Sequence, residues 1–168
     1  MTPSAIEEVL PPGPPAAAAE ALALAKARAV AATTPGAVVV GADTIVVLDG
    51  EILGKPRDAA EATLMLRRLR GRTHEVITAV AVVSAGAARE RATSVQSRDT
   101  MADYTDADIE GYVATGEPFD KAGGYAVQAG GARLVRGVEG CLTNVVGLPV
   151  RTTRRLLASF GVNVLEES

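Results

Sequence analysis

The sequence predicts a single α/β domain in which helices flank a twisted sheet. Apolar β-branched runs at 37–40 and 45–48 are typical of strands buried on both faces. Ala-rich and Leu-rich stretches between such runs favour helices. The two kinds of segment alternate along 168 residues, an ordinary length for one domain. Because at least one hairpin accompanies the alternation, we expect a mixed sheet.

Residues that begin or end helices and turns mark the element boundaries. Proline is tolerated in a first helical turn, where its missing N–H is not needed. Asp-Gly between apolar runs is a strong hairpin signal, and Asp followed three residues later by Glu resembles a capping box. The predicted elements are a helix over 14–34, strands over 37–40 and 45–48 with a hairpin turn at 49–50, a helix over 58–71, strands over 73–84 and 92–101, a helix over 105–114, a strand over 134–138 and a helix over 149–160.

Composition narrows the function classes. Hydrophobic residues make up 48% and aromatic residues 3%, so we expect a core of Val, Leu, Ile and Ala. The net charge of −3 argues against bulk nucleic acid as a partner but allows a small anionic ligand, which needs only a few local Lys and Arg residues. No uninterrupted apolar stretch approaches the roughly 20 residues of a membrane span, and the N-terminus does not resemble a signal peptide. We therefore expect a cytoplasmic protein without a membrane partner.

The scarcity of histidine and cysteine limits the possible metal sites. His74 is the only histidine, which excludes a multi-histidine site, and its position at the start of a strand favours a structural role. Cys141 is the only cysteine, so no internal disulfide can form. A hydrophilic cation would have to bind carboxylates, which suits Mg²⁺ or Mn²⁺.

The segment 41–44, Gly-Ala-Asp-Thr, interrupts two apolar strand runs. Asp is depleted in strands, and a buried carboxylate is costly unless it is paired or bound to a metal. Two interpretations remain open. The segment is either a bulge or turn between strands, or it holds the Asp43 carboxylate at a strand end for metal binding or proton abstraction.

Two further segments combine charge with constrained or flexible backbone. Lys55 lies between Gly54 and Pro56, and Asp120 and Lys121 precede a Gly-Gly pair. Either segment could be a solvated turn. Alternatively, it could contact phosphate, because lysine binds phosphate and glycine lets the backbone approach a ligand closely.

The sequence gives weaker indications of a ligand-binding role for Gln128 and Lys26. The Gln128 amide can both donate to and accept from a base edge, although a surface glutamine has the same sequence appearance. Lys26 lies within the first predicted helix, where an isolated lysine is usually solvated. No Walker-type loop, dinucleotide fingerprint or serine elbow is present.

Several segments, taken in order, resemble the Maf family of nucleoside triphosphate pyrophosphatases. Each is weak alone, but their joint order and spacing over about residues 20–150 make chance similarity improbable. The segments lie at 20–32, 41–44, 49–56, 69–76, 112–118, 120–123 and 144–149.

The resemblance implies a mixed α/β fold related to inosine triphosphatases, with two lobes around a cleft. It also implies metal-dependent hydrolysis of a nucleoside triphosphate between the α and β phosphates. By position, Asp43 matches the family's proposed proton acceptor and, with Glu8, its acidic metal site; Glu7 is the alternative to Glu8 in this alignment. Lys26 and Lys55 match basic residues near the phosphates.

The same resemblance extends to base choice. Thr44 and Gln128 match positions linked to the base, and this combination is similar to the branch that acts on dTTP and UTP. Asp120 and Lys121 fall in a matching segment and are expected to bind substrate. A glutamine amide suits uracil and thymine, because it can donate to a ring oxygen while accepting from the ring N–H.

One departure affects the expected activity. Family members usually open with an apolar strand and a Ser-x-x-Arg loop that binds phosphate, and no Ser-Arg cluster precedes the first predicted helix here. We therefore expect residues 1–168 to form one Maf-like domain, shortened at its N-terminus relative to the family. The leading interpretation is an enzyme. A nucleotide-binding regulator of low or no activity, linked to cell division and septum formation, and an interaction domain that retains only the fold remain alternatives, and a homodimer is compatible with each.

Overall fold

The computed structural model of the chain describes residues 13–86 and 89–164. The helices and strands confirm the predicted α/β class with flanking helices. They are α1 (Pro15–Ala31), β1 (Val38–Leu48), β2 (Glu51–Leu53), α2 (Ala59–Leu69), β3 (Thr73–Ser84), β4 (Arg89–Met101), α3 (Asp106–Val113), β5 (Val135–Glu139), α4 (Leu142–Val145) and α5 (Val150–Ala158). Three short 3₁₀ turns, Glu117–Asp120, Ala122–Gly124 and Ala129–Leu134, lie between α3 and β5.

The strands form one sheet in the order β2-β1-β3-β4-β5. β1 pairs antiparallel with β2, and β4 pairs antiparallel with β5. The N–H of Ala85 donates to the carbonyl of Ala37, and the N–H of Met101 donates to that of Arg72. These bonds join the end of one strand to the start of its neighbour, so β3 runs antiparallel to both β1 and β4. No parallel pair of the expected mixed sheet occurs among the described strands.

The hairpin predicted at Asp49-Gly50 is confirmed. Leu48 and Glu51 are paired across it, and both turn residues have positive φ, 53° and 81°. Positive φ at both central positions defines the type I′ turn, whose twist matches that of the flanking strands.

β1 corrects the prediction that 41–44 separates two strands. It is one strand of 11 residues, so Asp43 lies within a strand and not at a strand end. Gly41 is required there because α1 packs directly on it. A Cβ at this position would lie 2.4 Å from the carbonyl oxygen of Ala23. Asp43 is tolerated because it is paired, as described below.

Helix α2 begins as predicted at Asp58, whose side chain accepts from the N–H of Glu61 at 2.8 Å. The reciprocal bond of a capping box is absent. Glu61 accepts instead from the N–H and the guanidinium of Arg57. The predicted cap of α3 at Thr105 is confirmed and forms a complete capping box with Asp108.

The chain divides into two compact units. Among the described residues, the first comprises 13–43, 78–86, 89–95 and 147–164, and the second comprises 44–77 and 96–146. In the first unit, the buried face of α1 consists mainly of alanines. The core of the second unit contains all three tyrosines of the chain, Tyr104, Tyr112 and Tyr125, so the expectation of a purely aliphatic core was incomplete.

Candidate active site

Asp43 and Lys26 form a largely buried charged contact in the first unit. Lys26 Nζ donates to Asp43 Oδ1 at 2.5 Å. The Asp43 side chain is 7% exposed and that of Lys26 is 22% exposed. The two residues are 17 positions apart, so the fold brings them together and local sequence does not. Two residues that the resemblance assigned to catalysis and to phosphate binding are therefore in direct contact.

The packing of α1 on β1 creates this contact. Ala19, Ala23 and Ala27 recur every four residues along one helix face and are all buried. Ala23 and Ala27 lie against Gly41, which has no side chain to hold the helix away. This close approach brings Lys26 within reach of Asp43, two residues further along β1. The small residues thus determine the geometry of the charged pair.

A charge-assisted bond of this kind has a specific chemical consequence. The lysine compensates for the burial of the carboxylate, which would be costly without a partner. A mostly buried carboxylate with one lysine can also act as a proton acceptor, provided that a more negative ligand draws the lysine away. A strongly anionic ligand would therefore compete with Asp43 for the Lys26 ammonium.

A second charged group lies in the second unit. Lys121 Nζ donates to Asp120 Oδ1 at 2.6 Å, and both side chains are exposed. The pKa of Asp120 is lowered by this bond with Lys121 and, to a smaller extent, by the charge of Lys55. Lys55 is thus near enough for its charge to act on Asp120, although the two residues are far apart in sequence.

The backbone around these side chains is closely packed. The N–H of Gly123 donates to the carbonyl of Gly54 at 2.9 Å, which ties the segment after Lys121 to the residue before Lys55. Gly123 has a φ of 71°, and a Cβ there would lie 3.1 Å from the side chain of Val46. Both observations favour glycine at this position. The sequence signal of flexible glycines therefore reflects a tight backbone contact.

The remaining predicted site residues are less constrained. Thr44 is half-buried on β1, and Gln128 is exposed immediately before the 3₁₀ turn Ala129–Leu134. Within the described residues, the Gln128 amide forms no hydrogen bond, so a ligand could take one. Glu8 lies outside the described residues.

The side chains available as ligands can be compared with those that Mg²⁺ or Mn²⁺ would need. Among residues 13–86 and 89–164, no group of three or more His, Cys, Asp or Glu side chains could hold a metal ion. Mg²⁺ usually retains water and binds one or two carboxylates together with substrate phosphates. Asp43 offers one such carboxylate. One buried carboxylate of this kind fits a cation that also binds water and substrate phosphates.

Sequence reasoning missed a buried polar cluster in the second unit. Asp99 on β4 and His74 on β3 both lie within 2.6 Å of the hydroxyl of Tyr125. The burial of His74 agrees with the structural role expected for it, but its partners were not foreseen. An Asp within a predicted strand was the available signal for Asp99, since Asp is depleted in strands.

Comparison with known proteins identifies the family. A family model described as Maf-like protein matches residues 1–160. The chain belongs to the Maf family. It is 56% identical over 151 residues to the dTTP/UTP pyrophosphatase of Moorella thermoacetica, covering 90% of this chain and 78% of that protein. It is 48% identical over 157 residues to the dTTP/UTP pyrophosphatase of Pelotomaculum thermopropionicum, covering 92% and 82%.

A third relative of this Maf protein spans nearly the whole chain. The dTTP/UTP pyrophosphatase of Thermomicrobium roseum is 50% identical over 169 aligned residues, which cover 98% of this chain and 75% of that protein. These matches confirm the family resemblance recognised from the short sequence segments. No helix in the described part of the chain is long and apolar enough to cross a membrane.

Proposed function

We propose that this Maf protein hydrolyses dTTP and UTP to the nucleoside monophosphate and pyrophosphate. The observation that carries the proposal is the buried Asp43 carboxylate bonded to Lys26 at 2.5 Å. The names of relatives up to 56% identical support the substrate class. The enzyme interpretation is thereby favoured over a regulator or an interaction domain without catalysis.

The Asp43–Lys26 pair accounts for activation by substrate. A triphosphate is far more negative than one carboxylate, so it competes for the Lys26 ammonium. As Lys26 turns to the phosphates, its bond with Asp43 breaks, and the loss of that positive charge makes Asp43 a better proton acceptor. Asp43 then takes a proton from the water that attacks the α phosphorus. The bond from that phosphorus to the bridging oxygen breaks, and its electrons leave with pyrophosphate.

We propose that the reaction requires a divalent cation, Mg²⁺ or Mn²⁺. When bound, it would supply counter-charge to the phosphates and to the leaving pyrophosphate. Asp43 would hold it, and Glu8 is the second carboxylate proposed for the role. The requirement is testable directly, because a chelator should abolish turnover and added Mg²⁺ or Mn²⁺ should restore it.

Four further residues are proposed to recognise the substrate. Lys55 and Lys121 are proposed phosphate contacts, with Asp120 holding the Lys121 ammonium in place until substrate binds. Gln128 is proposed to read the O–N(H)–O edge shared by uracil and thymine, since its amide is exposed and can both donate and accept. Thr44 is the second residue proposed to influence the base.

The proposed setting is the cytoplasm, where nucleoside triphosphates are made and used. A homodimer remains a prediction, and size-exclusion chromatography with light scattering would determine the oligomeric state. The proposed reaction uses one organic substrate, the nucleoside triphosphate.

A substrate panel tests the proposal. Purified protein is incubated with Mg²⁺ and each common nucleoside triphosphate, and phosphate is measured with and without added inorganic pyrophosphatase. We expect phosphate only when that enzyme is present, and the highest turnover with dTTP and UTP. Turnover of ATP or GTP equal to that of dTTP would refute the pyrimidine assignment. Binding of dTTP without turnover would favour the regulator.

A matched pair of variants on α1 isolates the proposed active site. Lys26→Met removes the ion pair with buried Asp43, whereas Arg28→Met removes the ion pair with exposed Glu90. Both changes delete one ion-paired cation from the same helix. Only Lys26→Met should lower turnover, by about tenfold or more, because a charged contact to a reacting phosphate is lost. Equal activity of the two variants would remove Lys26 from the mechanism.

A further inference from the structure

The second unit contains a buried chain of three polar side chains from three different segments. The hydroxyl of Tyr125 donates to Asp99 Oδ2 at 2.6 Å and lies 2.6 Å from His74 Nε2. Tyr125 is 5% exposed, His74 is 3% exposed and Asp99 is fully buried. His74 and Asp99 belong to neighbouring strands, β3 and β4, so the sheet itself holds both partners of the hydroxyl.

The protons of the cluster can be assigned from these contacts. Because Tyr125 gives its only hydroxyl proton to Asp99, the N–H on His74 Nε2 donates to the Tyr125 oxygen. Burial lowers the pKa of His74 to about 4, which keeps the ring neutral near pH 7. The rings also meet edge to face, with centroids 5.3 Å apart. Both hydrogen bonds and the ring contact fix the position of Tyr125.

Burying these polar side chains in the core costs free energy. Burial raises the pKa of Asp99, an effect that the Tyr125 hydrogen bond only partly offsets. Asp99 Oδ1 and His74 Nδ1 have no hydrogen-bond partner among the described residues. Apolar side chains of similar size would avoid both penalties, so stability alone does not account for this choice. A polar cluster does fix one arrangement where an apolar core tolerates several.

The polar cluster fixes the position of the predicted substrate-binding segment, residues 120–128. Tyr125 lies four residues after Lys121 and three residues before Gln128. The N–H of Gly123 adds a backbone bond to Gly54, next to Lys55. Tyr125 thus anchors the middle of segment 120–128 to the sheet, whereas the side chains at both ends are exposed or half-buried.

We propose that Tyr125, held by Asp99 and His74, is a positioning residue that sets where Lys121 meets phosphate and where Gln128 meets the base. This inference rests on the function proposed above. Tyr125 does not touch substrate itself. It restricts the segment in advance, so that less conformational entropy is lost when substrate binds.

Two variants that each delete one buried phenolic hydroxyl provide the test. Tyr125→Phe removes the anchor, and Tyr104→Phe is the matched control, because its hydroxyl donates to the carbonyl of Leu66 in α2. Tyr125→Phe should raise the KM for dTTP by about tenfold and narrow the preference for dTTP over CTP, while kcat changes less because Asp43 is untouched. Tyr104→Phe should leave KM and the preference close to those of the wild type.

Amide hydrogen exchange gives a readout that needs no catalysis. Tyr125→Phe should speed exchange in 120–128, and Tyr104→Phe should instead affect α2. Asp99→Asn is the conservative rescue, because its amide oxygen can still accept the Tyr125 hydroxyl, so it should shift KM less than Tyr125→Phe does. These comparisons separate a role in positioning from a general loss of stability.

Each outcome decides between the two proposals. If Tyr125→Phe matches Tyr104→Phe in KM, base preference and exchange of 120–128, the positioning role is refuted. If KM is unchanged while exchange of 120–128 rises, the segment is anchored by Tyr125 but does not bind substrate, and the inference also fails. If the wild type hydrolyses neither dTTP nor UTP, the proposed function fails, and the exchange experiment alone then reports on the anchor.

Discussion

Gly41→Ala tests how the packing of α1 determines the Asp43–Lys26 pair. The new Cβ would lie 2.4 Å from the carbonyl oxygen of Ala23 and 2.9 Å from the backbone nitrogen of Ala27. Both contacts are with helix backbone, which cannot rotate away as a flexible side chain can. Gly41 has no positive φ, so the effect of the substitution would be steric.

The size of the effect follows from these distances. The helix backbone must move by about 1 Å to restore ordinary contact, and overpacking of this kind costs roughly 1–3 kcal/mol. For a chain of 168 residues, that lowers the melting temperature by about 2–12 °C. The same movement would displace Lys26 from its position beside Asp43, to which it is bonded at 2.5 Å. We therefore expect kcat/KM for dTTP to fall by about 10²-fold.

Gly137→Ala is the matched control. Gly137 lies on β5 without a positive φ, and no atom lies within 4 Å of the position that the new methyl group would take. Replacing it with alanine should leave activity unchanged and the melting temperature unchanged or slightly higher. Thermal melting and pyrophosphate release are measured on both variants. If Gly41→Ala matches Gly137→Ala in both, the packing argument is wrong.

Three further predictions concern charge, base choice and pH. Asp43→Asn should lower turnover of dTTP by about 10²-fold with little change in melting temperature, and full activity would remove Asp43 from the mechanism. Gln128→Ala should reduce the preference for dTTP over CTP by about 1–3 kcal/mol without abolishing turnover. An unchanged ratio of the two kcat/KM values would show that Gln128 does not contact the base. Burial lowers the pKa of His74 to about 4 from an unfolded value near 6.5, so the unfolded chain binds the extra proton. The free energy of unfolding should therefore fall by about 2 kcal/mol between pH 7 and pH 5. Because His74 is the only histidine, melting curves of His74→Gln should lose most of that slope, and an equal slope would contradict the assignment.

Local signals predicted most secondary structure. The Asp49-Gly50 turn, the Asp58 cap and the Thr105 cap each depend on residues close in sequence, and all three were found. The continuity of β1 was missed because Gly41 and Asp43 are poor strand residues by themselves. Both are explained by α1, which packs on Gly41 and supplies Lys26 to Asp43. Such compensation by a distant segment is invisible in a local pattern.

The candidate site was predictable only in part. The family motifs predicted Asp43 and Lys26 as site residues. Their contact was not predictable from local sequence, because the two residues are 17 positions apart. The Asp99–Tyr125 bond spans 26 residues, and no motif pointed to Asp99. Pairings of this kind depend on strand neighbours and register, which the sequence pattern did not determine here.

Hydrolysis of dTTP in ¹⁸O-labelled water, followed by mass spectrometry of the products, tests the central claim most directly. The proposed attack of an Asp43-activated water on the α phosphorus predicts equal amounts of dTMP and pyrophosphate, with the label in dTMP alone. Label in the pyrophosphate would place the attack on the β phosphorus. Formation of dTDP and phosphate would contradict the proposed cleavage altogether.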